Sequence, residues 1–129
     1  MSGAAGLSPL PSGSFVYRAL GSAKCINKDT SEILPQTFLR RQADANGLSV
    51  ATSPERSIRD LTSWHGIVRL HVGLIRGVGL EVVLDSPDHG NIDHSIPYAS
   101  TDLSGKAESI AGDLARISTL VAPKGRKPS

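Results

Sequence analysis

The hydrophobic and polar positions of the chain alternate between two periods. "SFVYRALG" carries a period of two: Phe15, Tyr17 and Ala19 on one side, Val16, Arg18 and Leu20 on the other, closed by Gly21. "LSVAT", after the turn residues Asn46-Gly47, reads as a second short strand. "TSPERSIRDLTSWHG" changes the period. Ser53 stands as N-cap, Pro54 as first helical residue and Glu55 in the first turn, with Ile58, Leu61 and Trp64 on one stripe and Gly66 as stop. This predicts a helix over about 54–64. "IVRLHVGLI" returns to alternation, with Val68, Leu70, Val72 and Leu74 opposite Arg69 and His71. "LEVVLD" is a further strand ending at Asp85, followed by a polar loop over 86–98. A helix is predicted over about 104–121, with Ile110, Leu114, Ile117 and Val121 on one stripe and alanines at 107, 111 and 115 widening it.

The expected fold class is α+β: one small domain with a mixed or antiparallel sheet of about four short strands and two main helices. The Gly, Ser, Ala and Pro of residues 1–14 predict a flexible leader, 15–121 the globular domain, and "PKGRKPS" within 122–129 a basic flexible tail. The segment 31–41, "SEILPQTFLRR", predicts short helical turns around Pro35, with Arg40 and Arg41 on a solvated face.

Composition narrows the class. The 129 residues, 39% hydrophobic and 20% charged, are enough for one core and too mixed for disorder. With 4% aromatics, that core is built mostly of Ile, Leu, Val and Ala. No apolar run approaches the roughly 20 residues of a membrane helix. A formal charge of +2 does not by itself indicate nucleic acid or an anionic membrane. Cys25 is alone, which excludes an internal disulfide, and Lys24 and Lys28 flank it. The start lacks the charged and apolar regions of a secretory signal, so a cytoplasmic, bacterial-type protein is expected.

Two sets of residues carry candidate chemistry, and a third expectation follows from what is missing. The first is "HGNIDH", residues 89–94, which resembles the HxHxDH signature of metallo-β-lactamase-like hydrolases. His89, Asp93 and His94 match it, but Asn91 replaces the second histidine and no histidine follows His94. The chain is also about half the length that fold needs, so the match ends at six residues. A smaller divalent-metal cluster of His71, Asp85, His89 and His94 is the remaining metal expectation, able to activate water.

The second set is Arg18 in "VYRAL" and Ser49 in "GLSVATSPERS", which resemble the ADP-ribosyltransferase-like fold, including its bacterial toxin branches. The resemblance covers about half the chain. It implies NAD as cofactor, Arg18 holding the dinucleotide, Ser49 (less well Thr52 or Ser53) at the second position, and a late-strand glutamate, for which Glu81 is the candidate. His71 completes the catalytic candidates. Ser53, at a helix N-terminus, and Arg69 are the ligand-binding candidates. The third expectation follows from the lack of a complete catalytic set: a small binding module acting through a protein partner or self-association. The enzyme readings share one geometric condition. The polar side of the 67–74 strand must look into a hollow shared with the first strand and the 86–98 segment.

Overall fold

The computed structural model describes residues 10–38, 48–93 and 104–127. Among them lie six strands: β1 (Phe15–Ala19), β2 (Leu48–Ala51), β3 (Ser63–His71), β4 (Glu81–Ser86), β5 (His89–Asp93) and β6 (Ser118–Arg126). Three helices accompany them: α1 (Pro54–Ser57), α2 (Val72–Gly77) and α3 (Ser104–Ile117). The α+β class holds, with six strands in one antiparallel sheet of order β4-β5-β2-β1-β3-β6 rather than about four.

Alternation assigns the two faces. Val16, Leu48, Val50, Val68, Leu70, Val82 and Ile92 are buried and join one core with Val72 and Ile75 of α2, Ala111 and Leu114 of α3, and Phe38. Register places Tyr17 beside Ala51 and Arg69, and Ser49 beside Asn91, on the opposite face.

Four expected boundaries move. The helix expected over 54–64 stops after Ser57. Ser53 caps it as foreseen, its Oγ accepting from the Arg56 N–H at 3.3 Å. Trp64 and Gly66, taken for helix stripe and stop, lie instead in β3, paired with Gly125 and Pro123 of β6. The ladder overrides the local period, and Gly66 takes φ +156° inside the strand. A Cβ at Gly125 would stand 2.7 Å from the Trp64 ring, so that glycine makes room for the indole.

The strand expected to reach residue 74 ends at His71. Val72 and Ile75 are buried three apart on α2, while Leu74 is 51% exposed. Gly79, at φ +88°, closes that helix, its N–H donating to the Arg76 carbonyl at 2.9 Å. The helix expected to reach 121 ends at Ile117, and residues 118–126 form the strand β6 on the free side of β3. The β-branched Thr119 and Val121 suit a strand, and Pro123 is tolerated because β6 is an edge. Residues 122–126 of the expected tail thus lie in β6, and Lys127 Nζ donates to the Arg59 carbonyl at 2.5 Å. The end of the expected leader is anchored as well: Val72 and Gly73 N–H donate to the Ser14 and Ser12 carbonyls, both at 2.9 Å. Finally, the expected 86–98 loop begins with a tight turn at Pro87-Asp88 and then becomes β5.

Leu114 is fully buried and ties α3 to the sheet core. Leu114→Ala should cost about 2–5 kcal/mol in urea unfolding. Gly66→Ala should cost about 1–3 kcal/mol, because its backbone lies where side chains are strained and the new Cβ meets the Ala122 carbonyl at 3.3 Å.

Candidate functional site

β1 and β2 are neighbours but bridge at one pair only, Tyr17 with Ala51. β1 and β3, by contrast, stay in register over five pairs, from Phe15–His71 to Ala19–Ile67. Where β1 and β2 part, a cleft of about 750 Å³ opens. Tyr17, Arg18, Ser49 and His89 line it, with Arg56 and Arg59 from α1 and the turn after it. Cys25 and Thr37 form another part of the wall.

Arg18 lies across the gap. Its Nε donates to the Thr37 carbonyl at 2.9 Å and a terminal guanidinium nitrogen donates to the Ser49 carbonyl at 2.6 Å. Thr37 is itself held, its hydroxyl donating to the Cys25 carbonyl at 3.0 Å. The arginine thus ties β1 to the carbonyls of Ser49 on β2 and of Thr37 in the 35–38 turn.

On the sheet face beyond Arg18, side chains from three strands meet. Ser49 Oγ lies 2.5 Å from His89 Nε2, and His89 Nδ1 lies 2.6 Å from Asp85 Oδ1. Asn91 Nδ2 donates to Asp85 Oδ2 at 3.1 Å. Each contact has a local cause. Ser49 pairs with Asn91 and Ala51 with His89, so Ser49 and His89 share a face. The β4–β5 register shifts between Leu84 and Ser86, and the bulge at Asp85 turns its carboxylate toward His89. Gly90 keeps the two strands close: a Cβ there would lie 3.1 Å from the Val83 carbonyl.

The hydrogen bond from His89 is the main reason that the Asp85 carboxyl is held below its ordinary value, with Asn91 adding to it. An ionised Asp85 accepts from Nδ1–H. This orients the ring so that Nε2 faces Ser49. Asp88, at the hairpin tip, is also held low, first by the Ser86 hydroxyl and then by Arg56 and Arg59. Its carboxylate lies 3.2 Å from Arg56 and 3.5 Å from Arg59. Thr52 N–H donates to the Asp88 carbonyl at 3.2 Å, so the hairpin tip is fastened to both β2 and α1.

Of the expected residues, the structure gathers Arg18, Ser49, Asp85 and His89, which the sequence had divided between two chemistries. The others lie elsewhere. Arg69 sits 4.3 Å over the Phe15 ring, and His71 meets the same ring edge-on at 5.2 Å. Neither lines the cleft, so the hollow is shared by β1 and the 89–93 strand but not by the polar side of β3. Glu81 accepts from Arg76 Nε at 2.9 Å and from the Val82 N–H at 2.9 Å, outside the cleft. Ser53 serves as a cap. His94, Arg40 and Arg41 fall outside the described residues. Among the described residues, no three His, Cys, Asp or Glu side chains gather as a metal set, so His71 does not join Asp85 and His89 as a ligand. Nor does any described helix have the length and apolarity to cross a membrane.

Tyr17, Arg56, Arg59 and Asn91 were not anticipated. Arg56 and Arg59, three apart after a capped Pro, were the one readable signal of a basic rim. Compared with protein-family models, curated proteins and solved structures, the chain matches none.

The low carboxyls set the acid behaviour. Their contribution to stability is complete above the ordinary value of 3.8 and is lost as pH falls through their lower folded values. A melting-temperature profile should therefore fall off below about pH 4. In the double variant Asp85→Asn, Asp88→Asn that fall should be shallower.

Proposed function

We propose that the cleft binds a nicotinamide dinucleotide and that the chain acts as a small ADP-ribosyltransferase-like enzyme. The observation that carries this reading is the meeting of Arg18, Ser49 and His89 on the adjacent strands β1, β2 and β5 around one cleft. Arg18 and Ser49 are the two residues on which the resemblance to that family rests. Arg18, Arg56 and Arg59 are among the residues that line the cleft. Planar donors of this kind suit the oxygens of a diphosphate.

The third position departs from the family's usual glutamate. Glu81 is engaged by Arg76 outside the cleft, and we assign the third role to His89 of β5, which meets Ser49. The chemistry then assigned is as follows. The bond between ribose and nicotinamide breaks with positive charge building on the sugar, which Asp85 and the sheet-face oxygens favour electrostatically. An acceptor hydroxyl oxygen bonds to that sugar carbon as nicotinamide leaves neutral, the hydroxyl proton passes to His89 Nε2, and Asp85 stabilises the resulting imidazolium. Ser49 orients the sugar by hydrogen bonding.

The test is thermal shift with oxidised nicotinamide dinucleotide. Ligand at 100 times its Kd stabilises by about 2.7 kcal/mol, on the order of 10 °C for a domain of this size. Arg18→Lys keeps a cation across the gap but loses the planar fork, and should abolish most of that shift. An equal shift in the variant, or none in the native chain, overturns the proposal. The protein would then return to the class of a binding module that works through a partner or self-association.

A further inference from the structure

The order of atoms between Ser49, His89 and Asp85 suits a second reactivity. Hydroxyl faces Nε2 at 2.5 Å, Nδ1 faces a carboxylate at 2.6 Å, and the far carboxylate oxygen is held by Asn91 at 3.1 Å. This is the arrangement by which a neutral imidazole removes a serine proton while an acid fixes its tautomer. The three residues come from β2, β5 and β4, which are contiguous in the sheet, so backbone ladders set the geometry. Ser49 is exposed toward the cleft, where an incoming carbonyl has access.

We infer that Ser49 is an activated nucleophile and that the cleft accepts acyl esters whose carrier is anionic. The carrier's charge would meet Arg56 and Arg59, which line the same cleft, in competition with their ion pairs to Asp88. Ser49 Oγ bonds to the acyl carbon as the bond from that carbon to the leaving alcohol oxygen breaks. The serine proton passes to His89 Nε2 and from there to the departing alkoxide. Water then attacks the acyl-serine, giving its proton to His89, and the carboxylic acid leaves as Ser49 recovers its hydrogen. Asp85 is a positioning residue in this scheme. The inference uses the same cleft as the dinucleotide reading but does not depend on it.

A fluorophosphonate probe tests it, with the site found by peptide mass spectrometry and the rate by intact mass. The expected result is one adduct, on Ser49, absent in Ser49→Ala. His89→Ala should slow labelling about 100-fold, and added imidazole should restore part of the rate, which a purely structural loss would not allow. Asp85→Asn should slow labelling less, and Asp85→Glu should recover it. The inference is overturned if the folded chain takes no adduct on Ser49, or if His89→Ala labels at the native rate. Labelling without a dinucleotide shift removes only the earlier proposal, and a shift without labelling removes only this one.

Discussion

The structure turns on the arginine that spans the gap between β1 and β2. A central strand normally satisfies its backbone groups on both sides. Here β1 does so against β3 and meets β2 at a single pair. Arg18 links the parted segments, donating to the Ser49 carbonyl on β2 and to the Thr37 carbonyl on the segment beyond. A charge on the same side as Val16 and Leu20 would be costly if unpaired, and its hydrogen bonds offset that cost. The same guanidinium holds the cleft wall together and gives the cleft its positive floor. Structure and candidate chemistry are thus one interaction, and the cleft exists because the sheet is incomplete there.

The second device is the β4–β5 hairpin. Its bulge frees Asp85 from the ladder's regular alternation, and its tip presents Asp88 to Arg56 and Arg59. These surface ion pairs are individually weak. Their effect is geometric, since the backbone bond from Thr52 to Asp88 and the cap at Ser53 fix the segment that carries both arginines. A basic rim is thereby held beside an acidic relay with no large net charge, in keeping with the chain's modest +2.

β1 was legible by its period of two, β2 as a short apolar run after the Asn-Gly turn, and β4 as a continuous apolar run. So was the Ser-Pro-Glu opening of α1, because capping is a local event. The Ile110–Leu114 stripe of α3 was legible for the same reason as β1: period. The errors share a cause. In 58–64, 72–77 and 118–121, apolar spacing fits both periods, and the partner strand or the core chose between them. β5 was missed because His, Gly, Asn and Asp are poor strand formers. Pairing on both sides, with β2 and β4, overrode that preference.

The site shows the same division. From the residues alone, Arg18, Ser49, Asp85 and His89 were each candidates, because their side chains carry charge, a hydroxyl or a titratable ring. Their grouping was not readable. Ser49 and His89 are 40 positions apart, and Asp85 faces His89 only through a register shift in one hairpin. His71 and Arg69 looked equally polar on the page, yet Phe15 stacks with both away from the cleft. Side-chain chemistry and local period belong to the sequence, since each depends on a few neighbouring residues. Which polar groups share one hollow was decided by strand order and register, because hydrogen bonding between distant segments sets the distances between them.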